Sequence, residues 1–221
     1  MYIPNANSED RPEVLRQMMA AHPLAAVVTL TASGLVASHI PLGWEPDASG
    51  LVWEPDASGL GVLKGHVSRA NTQWKDLAEG VDALAIFAGP QHYISAGWYP
   101  GKQGDGKEVP TWNYVVVHAY GPLRIVHDAD WLLAHLQSLT NTHEASFTPP
   151  WKVSDAPADF IASLLNGIVG FELPIRRLEG KWKVSQNRNE ADREAVIRGL
   201  DDLDTPESLT MKQLVESARR R

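Results

Sequence analysis

The alternation of apolar and polar positions changes period several times along the chain, and each change predicts an element. Val14, Leu15, Met18 and Met19 recur at helical spacing. Asp10 is a predicted N-cap, Pro12 lies in the first turn, Glu13 completes a capping-box-like pair, and Pro23 ends the helix. The period then drops to two. "LAAVVTL" and "LVASHIPL" flank Ala32-Ser33-Gly34 and predict a hairpin. "VDALAIFAG", "NYVVVHAYGPLRIV", "IVGFELPIRRLEG" and "KWKVS" predict further strands. Helices are predicted in "NTQWKDLAEG" capped by Asn71, "DADWLLAHLQSLTN" capped by Asp128, and "SDAPADFIASLLNG" capped by Ser154. Two more follow in "NEADREAVIRGL" and "TPESLTMKQLVESARR".

Strands dominate the centre without strict β-α-β alternation, which disfavours a doubly wound parallel sheet. Hairpin-linked strands with inserted helices predict an α+β, mainly β protein built on a small antiparallel barrel. The main domain is expected over 1–200, with a helical extension over 201–221. "WEPDASGL" occurs at 44–51 and again at 53–60. One duplication is no solenoid, and its Pro, Asp, Ser and Gly predict a lengthened surface loop.

Composition narrows the function. The 221 residues carry 27 acidic and 20 basic side chains, a formal net charge of -7. That balance disfavours non-specific binding to a phosphate backbone. Arg219-Arg220-Arg221 reads as a frayed end rather than a binding arm. The absence of cysteine excludes disulfides, thiolate metal sites and cysteine nucleophiles. With no signal-peptide pattern and no apolar run of ~18 residues, a cytoplasmic protein without membrane contact is expected.

Among possible chemical motifs, "GKQGDGKE" at 101–108 imitates the start of a phosphate loop. It places Glu108 where a magnesium-binding hydroxyl is required, and Pro110 closes it before any helix. The histidines show no tight ligand spacing, so no metal site is expected, and no nucleophilic triad is apparent. In "LKGHVSRANTQW", His66, Ser68, Arg69 and Asn71 fall between a strand and a predicted helix start. This arrangement suits either a phosphate cradle or an ordinary capped helix. In "KWKVSQNRNEADREAVIRGL", Lys183, Ser185, Gln186, Asn187 and Arg188 again join a strand end to a helix, with Asn189 as cap. Those polar residues want partners, which a ligand edge or a subunit interface would supply.

Together "MYIP", "ASHIPL" (37–42), "GHVSRANTQW" (65–74), "YISAGWYP" (93–100), "VPTWNYVVVHAYG" (109–121) and "KVSQNRNEADREAVIRGL" (183–200) resemble the PaiB-type FMN-binding negative transcriptional regulators. That family belongs to the split-barrel flavin-binding group that includes pyridoxamine phosphate oxidases. The resemblance implies a six-stranded split barrel with peripheral helices, and a homodimer holding FMN at the subunit interface. On this reading Arg69, His66, Ser68 and Asn71 cradle the phosphate, with Ser38 and His39 as helpers. Trp112, Asn113 and Tyr114 offer a wall and polar edge for the ring. Lys183, Ser185, Gln186 and Asn187 close the site from the same or the partner chain. A regulator or flavin-linked sensor acting through a protein partner is expected, without direct DNA binding, since no helix-turn-helix signature is present. The alternatives are a flavin-dependent oxidoreductase acting on a small molecule or NAD(P)H and, third, a haem-binding split-barrel protein. No residue stands out as a general acid or base.

Overall fold

The computed structural model describes residues 1–46, 59–103 and 106–218. Most of the duplicated "WEPDASGL" segment, part of the Gly-rich loop at 101–108 and the terminal arginines lie outside the described residues. Two sheets carry the fold. The six-stranded sheet has the order β1-β10-β7-β6-β2-β3, from β1 (Ser8–Glu9), β10 (Arg177–Lys183), β7 (Thr111–Gly121), β6 (Ala83–Ile94), β2 (Leu24–Thr31) and β3 (Gly34–Pro41). The four-stranded sheet has the order β4-β5-β9-β8, from β4 (Gly43–Glu45), β5 (Val62–Ser68), β9 (Ile168–Pro174) and β8 (Arg124–Val126). Helices α1 (Pro12–Ala21), α2 (Ala129–Glu144), α3 (Ala158–Leu165), α4 (Glu190–Leu203) and α5 (Pro206–Ser217) are peripheral. This is the expected α+β, mainly β split barrel.

The chain packs as two compact units. The first comprises Met1–Met18, Ala88–His118 and Glu179–Arg221; the second comprises Met19–Phe87 and Ala119–Leu178. In the first, α5 lies against α4 and buries Met211 and Val215 fully. In the second, Leu63, Phe87, Phe171 and Leu173 form the core. The predicted hairpin forms in register from Leu24↔Pro41 to Thr31↔Gly34. Asp128 caps α2 by accepting from Trp131 N, and Asn189 caps α4 by accepting from Asp192 N.

Four local expectations need correction. Asp10 does not open α1: the Arg11 carbonyl accepts from Leu15 N, while Asp10 accepts from Ser8 Oγ. Ser154 lies in a short 3-10 turn, and α3 starts after Pro157, whose fixed φ suits a helix entry. The break between the last two strands falls at Ile175-Arg176, so "RLEG" (177–180) belongs to β10.

The helix expected after Asn71 shrinks to one 3-10 turn, Thr72–Trp74. Asn71 caps it as predicted. Beyond it Asp76 takes φ +53°, Leu77 bridges Thr31, and Ala78 N donates to Leu30 O at 2.9 Å. Backbone donors that a helix would consume are satisfied at a strand end instead. Gln73 anchors the turn by donating to Val27 O at 2.8 Å and Thr29 Oγ1 at 3.2 Å.

Candidate functional site

The expected site residues fall into one cluster per unit. In the second unit, Ser38, His39, His66, Ser68 and Asn71 line a cavity of about 550 Å³. Ile40, Pro41, Leu136, Leu164 and Ile168 make its walls largely apolar. Ligand pockets usually span ~300–1,000 Å³. β5 supplies His66 and Ser68 on one face, because a strand returns to the same face every second residue. Asn71 ties the two walls together: its Nδ2 donates to Ser38 Oγ at 3.0 Å, and its Oδ1 accepts from Gln73 N at 2.9 Å.

Arg69 lies beside this cavity with its guanidinium already fixed. Nε donates to Asn166 O at 2.8 Å and Nη2 donates to Ile168 O at 3.0 Å. The Nε edge is therefore used for orientation, and the opposite Nη edge remains the bidentate face for an anion. A helix N-terminus contributes nothing here, since the turn after Asn71 is too short to carry a macrodipole.

Behind the cavity, His66 Nδ1 and His135 Nε2 are 3.1 Å apart. His135, from α2, is buried and stacks on Trp131 with 19° between the rings. Trp131 Nε1 donates to buried Glu172 Oε1 at 2.9 Å. Gly170, opposite His66 in the β5–β9 register, makes this possible, because a Cβ there would overlap the Trp131 ring. Burial pushes His66 below its ordinary pKa. Burial, then the His66 charge and the Lys64 ammonium, pushes His135 down to about 4. At neutral pH the pair is uncharged, one ring donating and the other accepting. His66 thus offers the cavity a neutral polar edge, and positive charge comes from Arg69. An imidazole pair, two hydroxyls, an amide and an oriented guanidinium beside apolar walls suit a ligand with an anionic end and a flat apolar body.

The first unit holds the other expected residues. Along β7, alternation sends Trp112 and Tyr114 to one face and Asn113 to the other. Trp112 is 48% exposed; its Nε1 donates to Gln91 Oε1 at 3.0 Å, and it meets Tyr93 edge to face. Lys183 Nζ donates to Thr111 Oγ1 and to Trp112 O, the latter at 2.8 Å. Burial lowers the Lys183 pKa, against an opposing contribution from Tyr114. Asn113 is 1% exposed and donates from Nδ2 to Ser185 Oγ at 2.9 Å. Ser185 sits at φ +62°, a conformation L-residues seldom adopt. Asn113 is therefore a positioning residue, holding the turn that presents exposed Asn187. Gln186 is tied to the backbone, its Oε1 accepting from Val184 N at 2.8 Å and its Nε2 donating to Trp182 O. Arg188 joins Glu108 at 3.0 Å and lies 4.3 Å over the buried Tyr99 ring. The partners those polar residues require are thus largely internal.

The pattern missed His135, because its contact with His66 spans 69 positions and leaves no trace in local spacing. An aromatic-and-histidine spacing of four on a predicted helix, Trp131 and His135, was the available signal.

Comparison with known proteins shows the family and the fold. Residues 1–177 match the family model described as "Putative FMN-binding domain". A protein of Emericella nidulans is 34% identical, covering 93% of this chain and 92% of its own length. The protease synthase and sporulation protein PAI 2 of Bacillus subtilis is 30% identical over 98% of this chain and 97% of its own. Among solved structures, the FAD and heme binding protein from Mycobacterium smegmatis superposes with a TM-score of 0.57 at 17% identity. That match covers 87% of this chain and 80% of the other, and it speaks for the fold.

Proposed function

The chain belongs to this family of FMN-binding domains, and from that premise we propose a flavin-linked sensor that represses transcription through a protein partner. FMN is the cofactor of the family. The observation that carries the reading is the Arg69 guanidinium, held by two carbonyls beside a cavity of fitting size and polarity. Arg69, His66, Ser68, Asn71, Ser38 and His39 would hold the phosphate end. The family resemblance gives Trp112 and Tyr114 to the ring wall and Lys183, Ser185, Gln186 and Asn187 to the closing edge, from the same or the partner chain, with Asn113 holding Ser185. Bound flavin supplies electron and hydride transfer; the chain binds, orients and shields it.

The proposed homodimer with FMN at the subunit interface is supported by an exposed sheet face. Leu24 and Leu30 on β2 share a face with Leu35, Ala37, His39 and Pro41 on the edge strand β3. Leu24 is 59% and Leu35 76% exposed. The face continues into the cavity at His39 and Pro41. An apolar edge that runs into an open site favours a second copy as its cover.

Action through a partner rather than on DNA is supported by charge. The net charge is -7. α5, the second helix of the α4–α5 pair, carries Glu207 and Glu216 against one lysine, Lys212, which pairs with Asp201 at 2.6 Å. Such a helix repels a phosphate backbone. The cytoplasm is the proposed compartment, and among the described residues no helix is long and apolar enough to cross a membrane.

The purified protein should absorb near ~370 and ~450 nm, the oxidised-flavin bands. Arg69→Ala should emerge largely colourless while remaining folded; a variant as yellow as the parent removes Arg69 from the phosphate site. Salt-sensitive, sequence-specific retardation of DNA by the pure protein would overturn the partner-mediated reading.

A further inference from the structure

A second cavity, of about 390 Å³, lies in the first unit. It is walled by the N-terminal segment (Ala6, Ser8), the end of β10 and the turn after it (Trp182, Val184, Gln186), α4 (Arg193) and α5 (Leu214, Ser217, Ala218). Four separate chain segments thus converge on one concave space. Trp182 and Val184 point to the opposite side of β10 from Lys183, because neighbouring strand residues alternate. The cavity therefore faces away from the Lys183–Thr111–Trp112 cluster assigned to the flavin. Gln186 alone is shared with the cofactor-binding set, and its amide is already engaged with Val184 N and Trp182 O.

Two features of the lining point to a ligand. Arg193 has its Nη2 on Glu190 Oε2 at 2.6 Å, yet its Nε is buried without a hydrogen-bond partner among the described residues. A buried donor on a charged group is costly to leave unpaired, so such groups normally meet a bound acceptor. The Trp182 indole supplies an extended flat wall beside it, and Ser8 and Ser217 add hydroxyls. Glu190 is largely exposed, so solvent screens its hold on the guanidinium and leaves Arg193 able to meet a second acceptor.

We propose that this cavity is a second small-molecule site, distinct from the flavin cavity, which takes a small planar carboxylic acid. The carboxylate accepts from Arg193 and the ring or conjugated body lies on Trp182. The volume admits a compact monoacid and is small for a nucleotide. Such a site would give the regulator a route to sense a metabolite. Its existence does not depend on the regulatory reading, because its binding is measured separately from flavin content and from transcription.

The test is calorimetric titration of the full chain, loaded with FMN, with benzoate and phenylacetate, and with benzamide as the uncharged control. At least one acid should bind saturably with one site per chain, and benzamide about tenfold more weakly or not at all. Arg193→Met should weaken the acid about tenfold or more, whereas Glu190→Gln should not. Leu214→Trp, which fills the space without touching the guanidinium, should abolish binding while leaving the flavin spectrum unchanged. The proposal is overturned when neither acid binds, when benzamide binds equally, or when Arg193→Met and Leu214→Trp both retain the parent affinity. Displacement of FMN by the acid would also overturn it, because the cavity would then belong to the flavin site. If Arg193 Nε is satisfied by ordered water alone, neither acid binds.

Discussion

Asn113 Nδ2 donates to Ser185 Oγ at 2.9 Å, joining positions 72 residues apart at a site where the second residue is left-handed. The hydroxyl is held by a buried amide, so the positive φ of Ser185 is fixed from outside the turn. Asn113→Leu should lower stability by about 1–3 kcal/mol, the cost of a lost buried hydrogen bond. Ser185→Gly relieves the backbone but loses the anchor, so the two changes nearly offset. Urea unfolding would read both; a Leu variant with an unchanged midpoint would show that the amide holds nothing.

The His66–His135 pair makes stability depend on pH. His135 titrates near its ordinary 6.5 in the unfolded chain but near 4 when folded. As pH falls below 6.5 the unfolded chain takes up a proton that the folded chain refuses. Stability is therefore full above that point and declines as pH falls towards 4, by up to about 3 kcal/mol, with His66 acting in the same direction. His135→Phe should flatten this slope in denaturation series at stepped pH. An equally steep slope in the variant would assign the titration elsewhere.

Gly121 closes β7 directly against the carbonyl oxygen of Pro174 at the end of β9, and a Cβ there would overlap that backbone oxygen. Backbone cannot swing aside as a side chain can. Gly121→Ala should cost at least about 3 kcal/mol, at the high end for a single methyl. Thermal unfolding of the variant beside the parent would measure it, and a shift within error would mean the strand ends separate freely.

The exposed face of the β2–β3 hairpin gives a solution test of assembly. Leu35→Glu combined with Leu24→Glu should convert a dimer to a monomer in light scattering after size exclusion, with loss of bound flavin. These positions are exposed in the single chain, so folding itself should survive. A parent that elutes as a monomer removes the dimer from the proposal.

Much of this architecture can be read from local pattern, and particular residues show where reading stops. The hairpin at Ala32-Ser33 and the caps at Asn71, Asp128 and Asn189 are decided by neighbours in sequence, and they appear where expected. Asn71 also shows the limit: a good cap does not make a helix when Leu77 and Ala78 find strand partners instead. Trp112, Asn113 and Tyr114 read as one motif in the sequence, yet the pleat divides them between two faces. Arg193 and Trp182 share a cavity only because α4 folds back beside the end of β10, a tertiary fact without a local signature.

The two carbonyls that hold Arg69 bear on how a ligand would be met. A free arginine has some ~2 kcal/mol of rotamer freedom to surrender on binding. Here that freedom is surrendered when the chain folds, because Asn166 and Ile168 fix the guanidinium before anything arrives. An anion reaching this cavity would meet a receptor already shaped. The Gly167 carbonyl, which accepts from Arg69 N at 2.8 Å, draws the same loop into that preparation. Loosening residues 166–168 would then raise the ligand's dissociation rate without removing a single atom that touches it.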